Sequence, residues 1–158
     1  MTGRRLVHMA SLWMGLATAA AAQSARIQPE LRADGIFGSA NTYHAAAGAS
    51  TPLGNYIRVS LMAGGGVTVA NSESTASGRV DIVGRFLIDP YRQQRWGAYG
   101  GAGVSVRGER DATGRAYLVA MLGIEGPPGP LFVPALEIGL GGGTRVGLIL
   151  RRSLTDRR

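Results

Sequence analysis

The chain has no cysteine and no lysine. Without cysteine there is no disulfide framework, no thiolate metal site, no cysteine nucleophile and no residue to carry a lipoprotein anchor. Histidine is nearly absent: beyond the first 22 residues only His44 remains, too few for a zinc spacing, and no cofactor is expected. No apolar run approaches 18 residues, so no transmembrane helix is expected. Charged residues make up 17% and aromatics 6%. The missing lysine is equally well explained by the base composition of the coding DNA and carries little weight. What is present is glycine, 25 residues, and arginine, 17 residues against 10 acids, in a chain of 158 that is 45% hydrophobic. That length suits one domain, and the composition is too apolar for a disordered basic tail. The formal charge of +7 and pI near 11.0 raise nucleic acid as a partner, a question settled by where the arginines fall.

The first 22 residues read as a signal peptide. Arg4 and Arg5 precede a mostly apolar stretch from Leu6 to Ala19, and Ala20-Ala21-Ala22 offers a small-residue cleavage site before Gln23. No acid occurs before Glu30, as in mitochondrial transit peptides, but the arginines cluster at the start instead of lining an amphipathic helix.

From there residues 23–158 alternate with period two, the strand signal. The spacing predicts strands at about 29–37, 42–51, 55–69, 78–89, 96–107, 115–125, 131–140 and 144–151, separated by short glycine-, proline-, asparagine- and serine-rich breaks. Seven short connections favour consecutive antiparallel hairpins over helical crossovers. Eight such strands with no helix to cover them close most simply into an up-and-down barrel. The longest breaks are expected at 70–77 and 108–114, and a short basic tail at 152–158.

Each strand has one apolar and one polar face. Twelve charged residues fall on the polar parity: Glu30, Arg32, Asp34, Arg58, Arg79, Asp81, Arg85, Arg107, Arg115, Glu125, Glu137 and Arg145. The same face carries Gly48, Gly64, Gly66, Gly97, Gly101, Gly103, Gly123, Gly139, Gly141 and Gly147, with Tyr56, Tyr99 and Tyr117. Glycine on a wetted strand face weakens the strand for no gain, whereas inside an eight-stranded barrel it makes room. Most segments also have the 9–11 residues a tilted strand needs to cross a bilayer. In a membrane an arginine facing lipid at mid-depth costs about 2–4 kcal/mol, so the polar parity must face inward. The expectation is therefore a plugged, salt-bridged interior, not an open pore. Arginines interleaved with acids inside a barrel are also not a one-sided basic patch with stacking aromatics, which argues against nucleic acid.

On these features the chain resembles the small eight-stranded outer-membrane β-barrels of diderm bacteria. The resemblance covers residues 23–158 and is architectural, with no specific motif. It implies a transmembrane barrel delivered by a signal peptide, with both termini in the periplasm, and outer-membrane lipid and the barrel-assembly machinery as partners. It also implies a structural or interaction role, not an enzymatic one, for a protein acting as a monomer. Three features depart from it. The last strand, Arg145 to Arg151, is followed by charged residues and not by a terminal aromatic. The interfacial aromatic belt reduces to Tyr43, Trp96 and Phe132. Pro134 sits inside a strand and needs a bulge or a strand end.

Two other readings remain. Some outer-membrane barrels are lipid-modifying hydrolases, and His44 would be the base, with Ser50 or Ser60 as nucleophile and Glu30 or Glu137 as the acid; a hydrogen-bonding histidine inside the barrel explains His44 equally. A soluble periplasmic barrel holding a small apolar ligand is the other. The glycine-rich stretches 97–103 and 139–143 lack the lysine and helix of a phosphate loop.

Overall fold

The structure, a computed structural model, describes residues 27–71, 73–91, 95–110 and 112–153. The signal segment at 1–22 and the tail beyond residue 153 lie outside the described residues. Eight strands follow in order: β1 (Gln28–Phe37), β2 (Asn41–Leu53), β3 (Ile57–Ala70), β4 (Glu73–Leu87), β5 (Gly97–Glu109), β6 (Ala112–Glu125), β7 (Phe132–Leu140) and β8 (Thr144–Arg152). Each pairs antiparallel with the next, and β1 pairs with β8 from Glu30↔Arg151 to Phe37↔Thr144, so the sheet closes into an eight-stranded barrel. Closure leaves no strand edge to template another chain.

Both chain ends lie at one end of the barrel, termed here the terminal end; the other is the mouth. The mouth connections are residues 38–40, 71–72, 110–111 and 141–143. Those at 71–72 and 110–111 are much shorter than the breaks expected at 70–77 and 108–114. The serines and threonines after Asn71 read as a loop by composition, yet they pair in register, Thr75 against Thr68 and Glu73 against Ala70. Asn71 turns the chain with φ 49°, a left-handed conformation that asparagine tolerates well. The result is a lopsided rim: β3 to β6 run 13–15 residues and β1, β7 and β8 run 9–10.

Pro134 sits where β7 outruns its neighbour. The β6–β7 ladder stops at Glu125↔Ala135, and the Pro134 carbonyl accepts from the Gly126 amide at 2.8 Å. Its missing N–H would point to that same side, into the Gly-Pro-rich connection at 126–130, so no ladder bond to β8 is lost. This is the strand end its position required.

The two faces of the sheet differ completely. Outward positions carry Leu31, Leu61, Val80, Ile82, Val104, Leu118, Leu122, Ile124, Leu136, Ile138, Val146 and Leu148, all exposed, with Leu118 at 84%. Among the described residues the outward positions of the eight strands hold one charge, Arg152, at the last position of β8. Inward positions carry Arg85, Arg145, Glu30 and Asp81 nearly sealed from solvent. Apolar side chains share the bore in two clusters: Leu87, Tyr99, Ala135 and Ile149 in one, Val83, Val119 and Met121 in the other. A large inward residue needs a vacancy opposite. Tyr99 faces Gly123 across the β5–β6 ladder, and a Cβ on Gly123 would run into its ring.

The aromatics are unevenly placed. At the terminal end Tyr56 stacks on Phe86 (5.9 Å between centroids) and meets Tyr91 edge-on, with Trp96 and Phe132 exposed at the same end. Tyr56 was expected inside on strand parity; it lies in the turn before β3, where alternation no longer applies, and is exposed. At the mouth the exposed pair is Phe37 and Tyr43, edge to face at 6.1 Å. The belt is thus fuller at one end than Tyr43, Trp96 and Phe132 alone implied.

Candidate functional site

Alternation puts ionisable side chains from all eight strands on the inside, and closure brings strands far apart in the sheet within reach across the bore. In the mouth-side half, Asp34 of β1 receives both Arg79 terminal nitrogens of β4 at 2.7 Å each, a bidentate clasp. Arg145 of β8 reaches Asp81 of β4 at 2.6 Å and Asp34 at 3.2 Å. In the terminal half, Arg85 of β4 binds Glu137 of β7 at 2.8 Å and Glu30 of β1 at 3.1 Å. Glu125 of β6 takes Arg151 of β8 at 2.5 Å and Arg58 of β3 at 2.8 Å. Tyr99 donates its hydroxyl to Glu137 at 2.9 Å. Arg32 joins the halves: it meets Asp34 at 2.8 Å and donates to Glu137. Five carboxylates and six arginines form one continuous chain of contacts along the bore.

Eleven of the twelve charged residues expected inside do face the bore. Arg115 does not belong to the network: it lies on the inward parity but so near the mouth that it is exposed. Arg151, counted with the basic tail by its position in the sequence, takes its place, 5% exposed and held by Glu125 and Glu30. Continuing the β8 alternation two residues past Ile149 would have found it. Arg107 sits above the network. Its guanidinium lies 5.0 Å over the Tyr117 ring and donates to the Gly141 carbonyl at 3.0 Å.

Such a network is strongly interdependent. Removing one partner of a buried pair leaves an uncompensated charge and costs about 3–5 kcal/mol, even where the intact pair adds little net stability. A chain of pairs spanning opposite walls also holds the barrel to one cross-section.

The His44 surroundings do not fit a catalytic triad. Neither Ser50 nor Ser60 is its partner; the nearest hydroxyl is Ser77, 2.9 Å from Nε2. Ser77 stood in the stretch read as a loop and was not considered. Arg79 Nη1 lies 3.4 Å from Nδ1. A guanidinium only donates, so Nδ1 accepts, and the ring's own proton sits on Nε2 and points to Ser77. A general base needs a lone pair there. Glu30 and Glu137 are engaged with arginines in the other half of the bore. No group of three or more potential metal ligands occurs among the described residues.

No protein-family model and no curated protein matches the chain in sequence. Solved structures match its fold. Neisserial surface protein A aligns with a TM-score of 0.61 at 12% identity, covering 81% of this chain and 96% of that one. The N-terminal β-barrel domain of Pseudomonas aeruginosa OprF aligns at 0.53 and 14%, covering 78% and 96%. Both are small eight-stranded outer-membrane β-barrels. The fold read from alternation is therefore the fold of these proteins; at such identities the likeness is one of architecture alone.

Proposed function

We propose that the chain is an outer-membrane β-barrel whose interior is filled by an ion-pair network, with a structural or interaction role in the cell envelope and no catalytic activity. One observation carries this: the charge is inside and the large apolar side chains are outside, the reverse of a soluble barrel. An exposed apolar surface that surrounds the whole barrel needs lipid to cover it. Every strand has at least nine residues, enough to cross when tilted. The network spans the bore from wall to wall, which suits a plug and not a conduit. The structural neighbours support the envelope location, and the donor arrangement around His44 supports a hydrogen-bonding role for it.

The experiment is membrane fractionation with heat-modifiable migration in detergent gels. The reading expects the chain in the outer-membrane fraction, with a folded form that migrates differently before and after boiling. Recovery in the soluble periplasmic fraction would overturn it in favour of a soluble barrel. Separately, His44→Ala should leave envelope lipid composition unchanged; an altered composition would restore the hydrolase.

A further inference from the structure

Arg107 and Arg115 stand directly opposite each other in the β5–β6 ladder. Like charges in that position repel, and elsewhere in the bore such pressure is relieved by carboxylates. Here it is not: among the described residues neither guanidinium has an ion-pair partner, and Arg107 makes only its ring and carbonyl contacts. Next door in the same row is Arg79, already engaged by Asp34 and Asp81. Just above the pair the ladder slips. Between Arg107 and Glu109 β5 advances two residues while β6 advances three, from Arg115 to Ala112. An extra residue of this kind re-aims side chains and recurs at binding sites. Beneath the slip is a cavity of about 140 Å³ lined by Arg107, Glu109, Thr113, Arg115 and Tyr117.

We infer that this cavity is an anion site for a phosphate group at the mouth of the barrel. Two guanidinium forks facing one space match a tetrahedral oxyanion, whose several oxygens accept from both at once. A planar carboxylate offers only two. The Thr113 and Tyr117 hydroxyls line the same space, and Glu109 is the opposing charge, leaving the cavity at net +1. The anion relieves the Arg107–Arg115 repulsion that the protein itself leaves standing. Free phosphate and a phosphorylated lipid headgroup share this chemistry. The site rests on the barrel geometry and not on the membrane reading, so it stands even if the barrel proves soluble.

The test is calorimetric titration of the full chain, folded in dodecyl maltoside micelles, with inorganic phosphate, and in parallel with micelles doped with phosphatidic acid. Saturable binding with a Kd of about 1 mM or tighter is expected from at least one probe. Binding of inorganic phosphate identifies the free ion as sufficient; binding of phosphatidic acid alone identifies the headgroup. Arg115→Gln should weaken the binding about tenfold, and Glu109→Gln, which removes the opposing charge, should tighten it. Fold is checked by heat-modifiable migration, and the opposite signs of the two variants separate binding from misfolding. No saturable binding of either probe, or wild-type affinity in both variants, overturns the proposal.

Discussion

The mid-bore and the mouth of this barrel use the same residue type in opposite ways. In the bore six arginines are matched to five carboxylates, so burial is tolerated because every charge has a partner. At the mouth Arg107 and Arg115 face each other without one, and water substitutes for the missing acid. The difference teaches that arginine here is not a single feature. Below the mouth it is a structural cross-brace; at the mouth it is a charge left open to a ligand.

The comparison is broken most severely from inside. Asp34→Ala strips Arg32, Arg79 and Arg145 of a shared carboxylate. A loss of about 3–5 kcal/mol is expected, read as a fall in the urea midpoint of unfolding from lipid vesicles at unchanged m-value. Leu122→Arg places the same residue type on the outward face and should cost about 2–4 kcal/mol in vesicles; a soluble barrel would lose almost nothing. Gly123→Ala pushes a methyl group into the Tyr99 ring, and overpacking of about 1–3 kcal/mol is expected by the same denaturation. Arg115→Ala, at the mouth, should shift stability by no more than about 0.5 kcal/mol. A large loss there would mean that Arg115 belongs to the network after all.

The barrel was legible because each strand repeats one physical choice. In β4, Arg79, Asp81, Val83 and Arg85 fall on one parity and Val80, Ile82 and Phe86 on the other, and this fixes the face without any long-range information. The partners were not legible. Which acid meets Arg85 depends on how far the strands are staggered around the barrel, and that stagger is set by closure, not by local pattern. The same holds for Arg32, whose role as the link between halves depends on β7 lying two strands away through β8. The ends were least legible. Ser77, Arg115 and Arg151 all sit where the alternation meets residues that also suit turns or tails, so strand length decided their roles. Tyr56 failed for the converse reason: parity was extended one residue past the strand it described.

The absence of cysteine makes the central claim directly measurable. Single cysteines introduced at consecutive positions 118 to 124 of β6 can be spin-labelled without removing any native thiol, and the folded protein placed in lipid vesicles. If the apolar face meets lipid, labels at Leu118, Ala120, Leu122 and Ile124 will collide readily with dissolved oxygen and poorly with an aqueous nickel chelate. Labels at Val119, Met121 and Gly123 will be shielded from oxygen. An outward face that collides freely with the nickel chelate would contradict the membrane-barrel account.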